Sequence, residues 1–340
     1  MVIVSARGGS SAVAPTDLVV DVRAYGAKVD GTTDDFVAVQ DSVNKVADAG
    51  FGAVYFPPGE TLIKRPIVIP NHQVYLVGSG PKVSAVRFQP LNADTTLFEF
   101  NFGTSQILDC GIRDLGIRSG AGSGAVAKTA VKVYDARNFF MENVHIHPWT
   151  GPADIPSARG LYILGRDVGT YRKLWIEAGR PIHLGINPND ANKDMDHHHF
   201  SDLYIASGLA PYPSIYIDPG WSCRMLTFDG YQAWVNGGLY WVDGAASSKR
   251  SSEMVSIHNL RVEQFTSPPG VESAIRIEKN ASFPLRDLEV SMSIIGPNLA
   301  NWNGITANNV DRVTARHCTY DGSASATITT GTLVKTQCNF

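Results

Sequence analysis

Apolar residues recur along this chain in one six-residue pattern: apolar, two variable, apolar, one variable, apolar. It reads Ile112-Leu115-Ile117, Met141-Val144-Ile146, Tyr171-Leu174-Ile176 and Phe200-Leu203-Ile205. Later copies read Met225-Phe228-Gly230, Ile257-Leu260-Val262, Leu285-Leu288-Val290 and Val310-Val313-Ala315. Their central residues are separated by steps of 29, 30, 29, 25, 32, 28 and 25. Steps this even, with no helical pattern between them, predict a β-solenoid. The last two residues of each triplet sit two apart, as a strand requires. Between the copies lies a second short strand, in AVKVYD, GLYILG, PIHLG, SIYID, GLYWVDG, AIRIEK and GITANN. Stacked coils then bury a continuous aliphatic column and pair their backbones coil to coil.

The chain ahead of the repeat has a different plan. Residues 1–16 read as a flexible arm, Ser-, Gly- and Ala-rich over 5–16. DLVVDVRAYGAKVDG alternates and ends in the turn signal Asp30-Gly31. Thr32 or Thr33 is placed to cap a helix over about 33–49, with Asp34 and Asp35 in its first turn facing the helix dipole. Phe36, Val39, Val43 and Val46 follow at helical spacing. AVYFPPGE then reads as a buried strand, and IVIPNHQVYLVGSG as two more. Residues 17–322 form one domain on this reading, and 323–340 a last strand pair closing the column.

The order DVRAYGAKVDGTTDDFVAVQDSV, then GAVYFPPGE, then HQVYLVGSG resembles the opening of the pectate-lyase-like right-handed parallel β-helix superfamily. The resemblance covers roughly residues 18–90. It implies an all-β fold, a right-handed parallel β-helix of about eight or more coils, with the helix as an N-terminal cap. The superfamily holds polysaccharide lyases, glycoside hydrolases, alginate epimerases and phage tailspike depolymerases. It therefore implies a polysaccharide partner more than it implies one reaction. Its tailspikes are usually homotrimers, which implies a trimer and a place on the virion tail or outside the cell; no coiled-coil heptads accompany this. Trp149, Tyr212, Trp221, Trp234 and Trp241 read as exposed and open to an interface or a ligand.

A strand that sends alternate residues inward sends the others out. One outward column then runs Gly116, His145, Trp175, Tyr204, Asp229, Arg261, Glu289, Thr314. A second runs Arg118, His147, Glu177, Ala206, Tyr231, Glu263, Ser291, Arg316. Aromatic faces stack on sugar rings, while carboxylates and arginine bind hydroxyls. His145, His147, Trp175, Tyr204, Tyr231 and Arg261 are thus candidate substrate-binding residues. Glycoside hydrolysis needs two carboxylates. Asp229 and Glu263 fall one coil and two residues apart, about 8 Å between Cα atoms, which suits an inverting pair. Glu177 is the third catalytic candidate. A lyase or epimerase acting on uronates instead needs a base, from His145, His147 or Tyr231, and a cation, from Arg261. A receptor-binding rod that grips the glycan without cutting it would use the same aromatics.

Asp218, outward in SIYIDP, is a further lone acid. In NPNDANKDMDHHHF, residues 187–200, Asp194, Asp196 and His197 to His199 read as a polar loop near the groove. Some relatives hold Ca²⁺ with carboxylates, but none stack here on consecutive coils, so no metal and no cofactor is expected. Lys and Arg number 29 against 32 Asp and Glu, a net charge of −3. That balance excludes a generic nucleic-acid binder. No apolar run is long enough to span a membrane, and no signal peptide is visible at the start. Cys110, Cys223, Cys318 and Cys338 lie far apart with no CxxC, which reads as reduced, mostly buried thiols.

Overall fold

The computed structural model describes residues 18–338, apart from 93–94, 102, 104–106, 120–126, 150–157, 166–167, 187–194, 208–212, 235–237, 244–251, 264–272, 296–302 and 321–324. Regular structure there is β except for a short 3-10 turn and one helix. Two parallel sheets run the length of a solenoid. A 16-stranded sheet stacks the repeat strands from Val19–Asp21 to Thr332–Thr336, and a 10-stranded sheet stacks shorter strands from Ile67–Ile69 to Ser325–Ile328. All seven second strands expected between the repeats lie in the shorter-stranded sheet.

The odd spacing of the repeat has a backbone cause. Asp114, Asn143, Lys173, Asp202, Gly230 and Asn259 all have φ between 51° and 63°. Register places these residues above one another. A left-handed residue inside a strand turns the chain, so the residue two before it and the residue just after it both face inward, as Ile112 and Leu115 do around Asp114. Asn and Asp tolerate this conformation and bond locally. Asn143 Nδ2 donates to Asp114 Oδ1 at 2.6 Å, and Asn259 Nδ2 donates to Asp229 Oδ1 at 3.0 Å. The bend divides the long sheet into two faces of the column, and the short-stranded sheet supplies the third.

The bend also corrects the register. Phe228 pairs with Phe200 and Ile257, not with Leu203, whose partner is Tyr231. Leu288 and Val290 pair with Val255 and Ile257. The 3-then-2 spacing occurs twice within these longer strands, so counting apolar residues slides from one occurrence to the other.

Inside, each rung lays its apolar side chains on the next. Tyr171 and Phe200 stack at 4.3 Å and 12°, and Phe200 and Phe228 at 4.8 Å and 19°. Each such fully buried ring or aliphatic side chain contributes about 1.5–3 kcal/mol. Trp221 and Trp241 are buried, not exposed, and meet edge to face at 5.5 Å. Trp241 lies inward because it alternates with outward Tyr240, and Trp221 packs on it from outside the strand. Tyr212 and the side chains of Trp149 and Trp234 lie outside the described part.

The helix spans Phe36–Asp48 and buries Ala38, Val39, Val43, Val46 and Ala47 against Val19–Asp21, Gly52–Tyr55 and Ile67–Ile69. It begins later than the threonines suggest. Thr32 and Thr33 lie in a strand, their amides held by Asp30 Oδ1 at 2.8 Å. Asp35 takes the N-cap position, but its carboxylate accepts from the Lys28 and Val29 amides at 2.7 and 3.0 Å. The strands after residue 323 do not pair with each other. Ser325–Ile328 extends the short-stranded sheet and Thr332–Thr336 the long one, as one more rung. His197 to His199 belong to the strand Met195–Ser207 rather than to a loop, and Asp196 pairs with Arg224 at 3.2 Å. Asp194 lies outside the described residues.

Candidate functional site

The long sheet brings together five of the residues singled out in the sequence. Register sets Gly116, His145, Trp175, Tyr204, position 232 and Arg261 in line, with His145, Trp175, Tyr204 and Arg261 facing outward. Trp175 lies 4.3 Å from Tyr204 and 5.6 Å from His145, centroid to centroid. Its indole Nε1 donates to Glu177 Oε1 at 2.8 Å, and Glu177 also contacts His147 Nδ1. A pocket of about 380 Å³ opens here between Lys82, Arg118, His145, His147 and Trp175. Burial pushes the His145 pKa down, and Lys82 and His147 push it the same way.

The other predicted residues stand elsewhere. Arg261 shares the column two rungs beyond Tyr204 and lines a separate pocket with His317. Asp229 precedes the bend and pairs with Ser201 and His258. Glu263 follows the bend and pairs with Trp234 and Ile295. The two acids are therefore not neighbours on one face, because Gly230 and Asn259 turn the chain between their positions. Tyr231 pairs with Leu203, a position that is inward in neighbouring rungs. The side chains of Tyr231 and Glu263 lie outside the described part.

The short-stranded sheet carries a second, more tightly bonded cluster. Its outward column runs Lys132, Tyr162, His183, Tyr216, Tyr240 and Arg276. Tyr162 stacks on His183 at 4.4 Å, His183 meets Tyr216 edge-on at 5.0 Å, and Tyr216 stacks toward Tyr240 at 6.0 Å. The guanidinium of Arg159 sits 4.5 Å from the Tyr162 ring, and that of Arg180 sits 4.7 Å from Tyr216. Beneath the rings runs a chain of three groups. Arg159 Nε donates to His183 Nδ1 at 2.6 Å, and His183 Nε2 lies 2.7 Å from Asp218 Oδ1.

These partners determine the protonation. With Nδ1 accepting from Arg159, the imidazole proton sits on Nε2 and is donated to Asp218. The His183 side chain is 3 % exposed and that of Asp218 27 %. Burial lowers the His183 pKa despite the pull of Asp218, and Arg159 and Arg180 act in the same direction as burial. Burial, helped by Asp218, pushes the Tyr162 phenol up to about 12. The site thus presents a neutral imidazole, a phenol that keeps its proton and a partly exposed acid held in place. Glycine at 185 is required: a Cβ there would lie 2.6 Å from Tyr162 Cε2 and 2.8 Å from Asp218 Oδ2. One carboxylate beside two guanidiniums does not suit a divalent cation.

Residues 19–186 match the family model described as rhamnogalacturonase A/epimerase, pectate lyase-like. Over that stretch the chain is similar to pectate-lyase-like proteins, and its two long parallel sheets are those of a parallel β-helix. It is 39 % identical over 69 residues to the preneck appendage protein of Bacillus phage PZA, a stretch that is 20 % of this chain and 7 % of that protein. It is 27 % identical over 167 residues to the mannuronan C5-epimerase AlgE6 of Azotobacter vinelandii, 43 % of this chain and 18 % of the epimerase. The matched stretches are thus small parts of both relatives. Among solved structures, ORF18 of Geobacillus virus E2 superposes with a TM-score of 0.55 at 15 % identity, covering 93 % of this chain and 60 % of that one. At that identity the likeness is one of fold.

Proposed function

We propose that the chain binds and degrades a bacterial surface polysaccharide as part of a virion appendage, with its reaction centre on the short-stranded sheet at Arg159, Tyr162, His183 and Asp218. The chain of hydrogen bonds from Arg159 through buried His183 to Asp218 carries this reading. Buried, perturbed titratable groups converging beneath aromatic rings are the arrangement that reaction centres need. The likeness to a phage preneck appendage protein supports the virion assignment.

Two guanidiniums beside a fixed acid suit a uronate-containing chain, and the relationship to a mannuronan C5-epimerase points the same way. Arg159 and Arg180 would neutralise the sugar carboxylate and stabilise the enolate that forms. Asp218 accepts the C5 proton, oriented by His183. The electron pair released from C5–H forms the C4–C5 double bond. The C4–O bond breaks, and Tyr162 gives its proton to the departing oxygen. If Tyr162 instead gives its proton to the opposite face of C5, with the C4–O bond intact, the product is the epimer. His145, His147, Trp175, Glu177 and Tyr204 are proposed to hold a further stretch of the glycan on the long sheet.

Hydrolysis is the second reading, favoured by one observation. Ile217 pairs with Trp241 and Val242 with Glu278, so Asp218 and Glu278 share a column two rungs apart. That is about 10 Å between Cα atoms, close to the separation of inverting pairs. Oligosaccharide release from a panel of uronate-rich capsular and exopolysaccharides, followed by ultraviolet absorbance, separates the readings. Elimination leaves an absorbing unsaturated end, and Asp218→Asn abolishes it. Non-absorbing fragments support hydrolysis. Binding of a uronate-rich glycan without fragments or epimerised sugar would overturn the enzymatic reading in favour of a receptor-binding rod.

A further inference from the structure

The bend of the long sheet recurs at the last described rung, and there it holds two thiols. His317 and Gln337 are left-handed, with φ of 49° and 54°, as Asn259 is at 55°. Arg316 pairs with Thr336, and the His317 amide donates to Thr336 O at 3.0 Å. Continuing that register places Cys318 directly under Cys338, in the inward column that Leu115, Val144, Leu174 and Leu203 begin. The two cysteines have the same local geometry. Cys318 Sγ lies 3.5 Å from Arg316 O, and Cys338 Sγ lies 3.4 Å from Thr336 O. The two thiols are close enough for Cys338 to act electrostatically on Cys318.

We propose that Cys318 and Cys338 are an oxidisable pair whose disulfide staples the last described rung to the one beneath it. In-register residues of adjacent parallel strands lie about 4.8 Å apart, within the Cα separation a disulfide accepts. The other two thiols have no such partner in register. Ser252 and not a cysteine faces Cys223 across the next rung, with Cys223 N donating to Ser252 Oγ at 3.3 Å, and Phe140 N bonds to Cys110 O at 3.0 Å. The rung in question is also the one that gains most. Thr332–Thr336 is exposed at four of its five residues, so backbone pairing carries more of its attachment than burial does.

The chemistry needs an oxidant, here a small-molecule disulfide of the glutathione type. Half-buried Cys338 is reached first and forms a mixed disulfide, releasing one thiol. Cys318 then attacks the Cys338 sulfur and expels the second thiol. Two electrons and two protons pass to the oxidant. Burial and the neighbouring Cys338 push the Cys318 thiol up to about 12, so this second step is slow and confined to its neighbour.

The test incubates the full chain with oxidised glutathione at mildly alkaline pH and follows intact mass, peptide mapping and amide hydrogen exchange. The expected product is about 2 Da lighter, with one cross-link between the peptides holding Cys318 and Cys338, and Cys110 and Cys223 still alkylatable after unfolding. Exchange in Ser325–Ile328 and Thr332–Thr336 should slow on the order of a hundredfold, and reductant should reverse it. Cys338→Ser should abolish the mass change. Cys318→Ser should stop the reaction at a mixed disulfide on Cys338, which shows that Cys338 is accessible. A stable mixed disulfide in the parent chain, a cross-link to Cys110 or Cys223, or an unchanged parent mass would overturn the proposal.

Discussion

The two outward faces of this column are built on similar backbones but use their side chains differently. On the long sheet, Trp175, Tyr204 and His145 meet mostly ring to ring, and the Trp175 indole bonds to Glu177 at the surface. On the short-stranded sheet the rings cover a buried hydrogen-bonded chain that ends on a partly exposed acid. Rings at a surface bind many sugars with little geometric demand. A buried chain of Arg, His and Asp fixes one carboxylate in one orientation, which is what a chemical step requires. On the proposed function, affinity belongs to the first face and chemistry to the second.

The largest effect that can break this contrast is at Asp218. Asp218→Asn should lower turnover roughly 10²–10⁴-fold while glycan affinity stays within a few-fold, read from kcat and from titration calorimetry. Equal losses of both would place Asp218 in binding alone. Gly185→Ala comes next. The added methyl would displace Tyr162 and Asp218 without touching the long sheet. A displacement near 1 Å can cost about 10²-fold in kcat. Circular dichroism and melting should remain close to the parent.

Trp175→Ala should act on the other side of the comparison. Losing the ring proposed to stack on sugar should raise KM or Kd about tenfold with kcat unchanged. The smallest effect concerns stability. Burial lowers the His183 pKa in the folded protein, so the unfolded chain takes up a proton first as pH falls. Stability should therefore be full above the ordinary histidine value, near 6.5, and fall as pH drops below it. Urea unfolding at pH 8 and pH 5.5 reads this, and His183→Gln should flatten the dependence.

Much of the fold is legible in the chain because a solenoid repeats its local rule. The second strands, the stacked repeats and the meeting of His145, His147, Trp175, Glu177 and Tyr204 follow from spacing and alternation alone. The register beyond Phe228 does not. Apolar residues 3 and then 2 apart occur twice in each long coil, and only the left-handed residues at Gly230 and Asn259 show which occurrence is the bend. That ambiguity put Asp229 beside Tyr204, where Gln232 stands. The charged cluster is legible in part. Alternation along GLYILG, PIHLG, SIYID and GLYWVDG puts Tyr162, His183, Tyr216 and Tyr240 outward and Trp241 inward. Contact of Arg159 with His183 depends on side-chain conformation, which spacing does not encode.

The most direct test of the central claim compares two single variants on one active glycan, Asp218→Asn on the short-stranded face and Glu177→Gln on the long one. Rate of product formation and equilibrium affinity are measured for each. Asp218→Asn should abolish product and keep affinity, while Glu177→Gln should weaken affinity and keep the saturated rate. The reverse pattern, with product lost on Glu177→Gln and retained on Asp218→Asn, would contradict it and move the chemistry to the long sheet.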